Sequence, residues 1–112
     1  MDETTFNNHF NTTLEELENL IVDKSVEYVV GKNKFHNFDR AAVIQKLSRE
    51  QIMLNYSMKH FISIIDMIDK LPQNYPNKEK VVEKFNDLIT YLILMKISLI
   101  NKLQQKETIN GC

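Results

Sequence analysis

Apolar residues recur at helical intervals along most of the chain. Leu14, Leu17, Ile21 and Tyr28 mark one helical face, opened by the capping-box spacing Thr13-x-x-Glu16 and closed by Gly31, which predicts a first helix over about 13–30. Residues 1–11 are Asn-rich and aperiodic, and read as a loose N-terminal arm whose Phe6 and Phe10 dock on the body. The polar and aromatic segment GKNKFHNF suits a loop, and DRAAVIQKL (39–47) suits a short helix resting on Ala41, Ala42 and Leu47. Ser48-x-x-Gln51 repeats the capping spacing and starts a third helix, about 49–71, that has to end before Pro72. After the connector PQNYPN, the positions Val81, Phe85, Leu88, Leu92, Met95, Leu99 and Leu103 keep a heptad-like seam along a fourth helix, about 78–106. Short connectors between long helices imply antiparallel neighbours. The expected fold is all-α: an antiparallel bundle of three long helices and one short one, completed by dimerisation, with one domain over 12–106 and a tail at 107–112.

Composition narrows this further. At 112 residues and 43% hydrophobic, the chain has room for one core, and two Gly with two Pro cannot supply the turns of a many-stranded sandwich or barrel. The formal charge of −1 gives no general pull towards duplex DNA or an anionic membrane, and neither is expected as a partner. The charge is nevertheless uneven. The first thirty residues hold seven acids against Lys24 alone, and the next thirty hold six bases against two acids. The run Leu88 to Ile100 is broken by Lys96 and falls short of the roughly 20 apolar residues that cross a bilayer, so it reads as a buried helix. Asp2 and Glu3 directly after Met1 do not resemble a secretory signal, and a cytoplasmic location is expected. Cys112 is the single cysteine, which excludes an internal disulfide and a thiolate zinc site, and it reads as a passive tail thiol.

Candidate chemistry lies where polar residues interrupt apolar helices. At 100° per residue, Asn55, Lys59, Ser63, Asp66 and Lys70 fall within about 80° of one another on the third helix, while apolar residues take most of the remaining circumference. Glu83, Asp87 and Thr90 share a narrow face of the fourth helix, and Asp23 and Glu27 stand four apart on the first. If these stripes meet, they line one cleft, and up to four carboxylates suit Mg²⁺. Each has a plainer reading. Glu83 with Asp87 also suits a solvated acidic face, His60 a rim position, Tyr28, Tyr56 and Tyr91 core aromatics, and Met53, Met58, Met67 and Met95 core filling. The basic middle, Lys32, Lys34, Arg40, Lys46, Arg49 and Lys59 with Phe35, His36 and Phe38 among them, suits phosphates and base stacking. The chain has no Gly-rich phosphate loop, HExxH, CxxC or nucleophile elbow, so covalent and zinc catalysis are not expected.

The order of motifs resembles a family of small phage and prophage proteins related to the nucleotide modification associated domain 1. More distantly, it resembles the all-α MazG-like NTP pyrophosphohydrolases. The matching residues are Lys24, Glu27 and Tyr28 in DKSVEY; Phe35, Asn37 and Phe38 in KFHNFDRAA; Lys59, His60, Ser63 and Asp66 in MKHFISIIDMI; and Glu83, Asp87 and Tyr91 in EKFNDLITYLILMK. They span about residues 20–100. The MazG-like pattern pairs ExxE on one helix with ExxD on the next; here Glu15-x-x-Glu18 matches the first half and Glu83-x-x-x-Asp87 stands in place of the second. Thr90 stands where related phage sequences tend to have Asn.

The resemblance implies a helical, dimeric domain acting in phage nucleotide metabolism or phage–host conflict, with polar stripes meeting around a nucleotide or its metal. On that basis Lys24, Arg40 and Lys59 are expected on phosphates, Glu27, Glu83 and Asp87 on Mg²⁺, and Asn37, Phe38 and Tyr91 around the base. His60, Ser63 and Asp66 complete the ligand-binding set. Mg²⁺-dependent hydrolysis of a nucleoside triphosphate and simple sequestration of a nucleotide both stay open. A second reading is a phage inhibitor of a bacterial defence system, of the anti-CRISPR kind, whose acidic first helix (Glu15, Glu16, Glu18) occupies a basic partner such as a Cas nuclease.

Overall fold

Side-chain caps open three of the helices, and the one that follows Phe35 begins without one. In the computed structural model, residues 1–28 and 35–110 are described, with side chains described at 1–22 and 35–107. Four helices result: α1 (Glu3–Tyr28), α2 (His36–Gln45), α3 (Arg49–Asp69) and α4 (Lys78–Asn110). No strand occurs among the described residues, and the chain is all-α.

Two boundaries depart from expectation. The Asp2 carboxylate accepts the Thr5 N–H at 2.8 Å, so α1 starts at Glu3 and the supposed loose arm is its first turns. These hydrogen bonds from Thr5 hold the Asp2 carboxyl below its ordinary value. Thr13 is mid-helix: its hydroxyl donates back to the His9 carbonyl at 2.8 Å and does not cap a helix start. The expected stop at Gly31 lies outside the described residues. At the other end, α4 runs on to Asn110, through part of the segment expected as a tail. The Ser48–Gln51 capping box is formed, with the Gln51 N–H donating to Ser48 Oγ at 3.1 Å and the Ser48 N–H to Gln51 Oε1 at 2.8 Å. Asn77 Oδ1 accepts the Lys80 N–H at 2.8 Å and caps α4.

α2 starts at His36 and rests on Phe38 and Ala42; Leu47 lies beyond it and is exposed. It ends at Lys46, which takes the left-handed conformation (φ 58°) so that the Leu47 N–H reaches the Ala42 carbonyl at 3.0 Å. Phe38 and Ala42 join Ile52 and Met53 of α3 and Tyr91 of α4 in one buried cluster. α3 and α4 run antiparallel, since Arg49 meets Ser98, His60 meets Tyr91 and Ser63 meets Lys84. α1 packs on α4, with Leu17 buried and the Asn86 amide donating to Glu16 at 2.7 Å.

A polar chain bolts three helices together at one end. Arg49 grips Asp39 with two parallel bonds, Nε to Oδ1 at 2.6 Å and Nη2 to Oδ2 at 2.8 Å, and donates a third to Ser98 Oγ at 3.2 Å. Ser98 in turn donates to Glu50 at 2.6 Å, and Lys102 closes the chain on the other Glu50 oxygen. The Arg49 guanidinium lies 4.4 Å from the centre of the Phe35 ring. Arg49 is therefore consumed structurally and is not a free phosphate ligand.

The apolar seams and the buried faces do not coincide. The positions of α4 buried against the other helices are Asn86, Thr90, Tyr91 and Ser98, whereas Phe85, Leu92, Leu99 and Leu103 of the expected seam are exposed. On α3, Leu54, Met58, Phe61, Ile65 and Ile68 recur at alternating spacings of four and three residues and are exposed too. The run 88–100, expected as a buried helix, is thus buried on one side only. The whole chain exposes 8539 Å², against roughly 6,400 Å² for a compact monomer of this mass. Its radius of gyration is 17.2 Å, against roughly 13 Å. No described helix is long and apolar enough to cross a membrane.

Candidate functional site

Three helices place aromatic rings around one cavity. Asn37 and Phe38 come from the first turn of α2, Tyr56, Lys59 and His60 from successive turns of α3, and Tyr91 from the middle of α4; together they line about 330 Å³. That volume lies within the range of small-molecule clefts, about 300–1,000 Å³. Phe38 stands edge-on to Tyr91 at 6.1 Å between centroids, Tyr56 lies 5.9 Å from Phe38 and 6.0 Å from Tyr91, and the His60 imidazole is stacked on Tyr91 at 5.1 Å. Such pairs add about 0.5–1.5 kcal/mol each beyond the area they bury, so the rings brace one another across the three helices. At the rim, the Lys59 ammonium lies 6.0 Å from the Tyr56 ring centre and Asn37 is exposed.

Of the expected ligand residues, Asn37, Phe38, Lys59, His60 and Tyr91 converge on this cavity. Ser63 and Asp66 do not; they line a second cavity of about 520 Å³ between the C-terminal half of α3 and the start of α4. Arg40 is exposed on α2 and lines neither. Lys24 and Glu27 lie on α1 where side chains are outside the described residues. Glu83 is exposed and Asp87 half-buried one turn before Tyr91. Among the described residues no three His, Cys, Asp or Glu side chains gather as a metal site.

Tyr56 was expected only as a core aromatic, although it is four residues before His60 and three before Lys59, next to the polar stripe. The lysines of the second cavity, Lys80 and Lys84, were not singled out because they sit in a run of charges at the start of α4. Thr90 is fully buried beside Tyr91, and its hydroxyl has no partner among the described residues.

This arrangement suits a flat ligand with a polar edge and an anionic tail. Ring faces take the plane, the Asn37 amide both donates and accepts, and Lys59 offers a cation at the mouth. No family model, no curated protein and no solved structure matches the chain.

Proposed function

We propose that the protein is a nucleotide-binding helical domain of the phage and prophage type, with the base held in the aromatic cavity. The observation that carries the reading is the convergence of Asn37, Lys59 and His60 around the ring cluster of Phe38, Tyr56 and Tyr91. Lys59 receives the first phosphate and Asn37 reads the base edge. The carboxylates that would accompany them with Mg²⁺ are Glu83 and Asp87, with Glu27. No third ligand joins the first two among the described residues, so the reading routes no step through the ion and treats binding, not hydrolysis, as the activity.

Calorimetric titration with a panel of nucleosides and nucleotides, with and without Mg²⁺, tests it. One base class should bind, with affinity falling at least five-fold in Lys59→Ala and in Asn37→Ala while the helical content is unchanged. Equal affinity in both variants, or no binding by any member, would end the proposal. Mg²⁺-dependent binding that Asp87→Asn abolishes would restore the metal.

The active unit in this reading is a dimer. The excess exposed surface is about 2,000 Å², where stable interfaces bury about 800 Å² per partner and obligate ones more. The exposed seams on α3 and α4 supply its apolar face. The defence-inhibitor reading retains one specific support: Phe6 and Phe10, stacked at 6.1 Å and half exposed, share α1 with the exposed Glu15 and Glu18. Glu16 is already engaged with Asn86. Reversing the charge at Glu15 and Glu18 should abolish inhibition of a defence partner and leave nucleotide binding intact.

A further inference from the structure

The second cavity has its own chemistry. Lys70 from the end of α3 and Lys80 and Lys84 from the first two turns of α4 converge on it, with Asp66 as the one acid. Lys84 donates to the Ser63 hydroxyl. Neither Lys70 nor Lys80 is in an ion pair among the described residues, and Asp66 neutralises neither of them. Asn74 and Asn77 line the same space, Asn77 with its side-chain oxygen capping α4, and the start of α4, a 33-residue helix, adds the positive end of its dipole. An open recess with an excess of two positive charges is a place for an anion, and about 520 Å³ exceeds what a single phosphate fills.

Its position relative to the aromatic cavity identifies which anion. Lys59, Ser63, Asp66 and Lys70 form one stripe of α3. Ser63 lies one helical turn beyond His60, a rise of about 4.5 Å, and Lys70 lies about 15 Å beyond it. With a base in the aromatic cavity and its first phosphate at Lys59, a phosphate chain that follows the stripe runs towards Lys84, Lys80 and Lys70. We propose that the lysine cavity is the polyphosphate subsite of the same ligand, which makes that ligand a nucleoside di- or triphosphate. The proposal rests on the nucleotide reading of the aromatic cavity.

Four probes separate the two: a nucleoside, its monophosphate, its triphosphate and inorganic tripolyphosphate, titrated calorimetrically into the wild type, Lys70→Ala/Lys80→Ala and Asn37→Ala. Both lysines are exposed, and circular dichroism should record unchanged helix in the double variant. The triphosphate should bind the wild type at least ten-fold more tightly than the monophosphate, and the double variant should lose that advantage while binding the nucleoside as before. Tripolyphosphate should bind the wild type and Asn37→Ala alike and the double variant not at all. Equal affinity for mono- and triphosphate, or an advantage that survives in the double variant, overturns the lysine subsite and leaves the aromatic reading standing. Tripolyphosphate binding that depends on the lysines, with no binding of any nucleoside, overturns the aromatic reading and with it the assignment of the ligand as a nucleotide.

Discussion

The imidazole of His60 lies stacked on the phenol ring of Tyr91, with centroids 5.1 Å apart and planes inclined by 24°. The pair ties α3 to α4 at the floor of the aromatic cavity, but the two residues do unequal work. Tyr91 is also part of the buried cluster with Phe38, Ala42, Ile52 and Met53, so Tyr91→Ala should cost about 3–4 kcal/mol. His60 is half-buried and touches the cavity rim, and His60→Ala should cost about 1 kcal/mol. Urea denaturation of the two variants checks the ratio. Equal losses would mean that the stack, not the cluster, holds the helices together.

Arg49 and Asp39 make the other strong link, a bidentate pair that joins α2 to α3 and, through Ser98, to α4. The bonds it donates to Asp39 raise the Arg49 guanidinium above its ordinary value, against the burial that lowers it. Arg49→Met leaves a half-buried Asp39 without its fork, and should destabilise the fold by about 2 kcal/mol. Arg49→Lys should recover little, because an ammonium cannot supply two parallel bonds. Full recovery by lysine in a denaturant series would reduce the link to simple charge attraction.

Acid should loosen the same end of the bundle. Burial works to raise the Glu50 carboxyl, but the Lys102 ammonium and the Ser98 hydroxyl outweigh it and hold Glu50 below its ordinary value of 4.5. A carboxyl whose value is lowered by folding contributes stability above its unfolded value and loses it as pH falls through the folded one. The contribution of Glu50 is thus in place at neutral pH, begins to fade near pH 4.5 and is gone once the folded carboxyl is protonated. Glu50→Gln should be less stable than the wild type at pH 7, and the gap should narrow as the pH is lowered below about 4.5. A gap that is constant with pH would show that Glu50 acts through packing alone.

Much of this was readable from residue order, and the reasons for the rest are local. The Ser48–Gln51 box and the barrier at Pro72 located α3, because each is a short-range rule that tertiary packing does not override. The start of α1 was misplaced because Thr13-x-x-Glu16 has the spacing of a capping box, whereas the Thr13 hydroxyl bonds back to the His9 carbonyl inside a helix that Asp2 opens. Asn37, Phe38 and Tyr91 were grouped by the motif resemblance alone, and only Lys59 of their cavity belonged to a stripe; the stripe partners Glu83, Asp87 and Thr90 do not line it. Arg49 went to structure instead, since nothing in a linear reading pairs it with an aspartate ten residues earlier and a serine on α4. The split of the α3 stripe between two cavities depends on how the 70–77 connector brings Lys80 and Lys84 back alongside it, a three-dimensional fact with no one-dimensional signal.

Thr90 offers a sharp test of how the polar face of α4 is used. Its hydroxyl is buried without a partner among the described residues, a state that costs about 1–3 kcal/mol relative to a satisfied group. Valine has the same shape and no hydroxyl, so Thr90→Val should leave stability unchanged or raise it by up to about 1 kcal/mol. A loss of more than that in urea denaturation would mean that the hydroxyl is satisfied in solution.

The exposed seams carry the proposal of a dimer to a direct test. Leu54, Met58, Phe61, Ile65 and Ile68 on α3 recur with the spacing of a two-helix contact, as do Phe85, Leu92 and Leu99 on α4, yet both rows are exposed in the single chain. Hydrophobic burial is worth about 25 cal/mol per Å², so a row of this length left in water is a large forfeited stabilisation, and a second copy presents the same surface in return. Light scattering after size exclusion should give twice the mass of one 13.2 kDa chain. Phe61→Lys with Ile65→Lys should convert it to the single-chain mass, weakening association at least a hundredfold, with the helical signal kept because neither side chain belongs to the buried cluster. The polar stripe of Lys59, Ser63 and Lys70 lies on a different face of α3 from this seam, so the monomeric variant should retain both cavities. A wild-type protein that is monomeric at every concentration tested would leave the seams as exposed apolar surface without a partner copy, and the dimer would have to be abandoned.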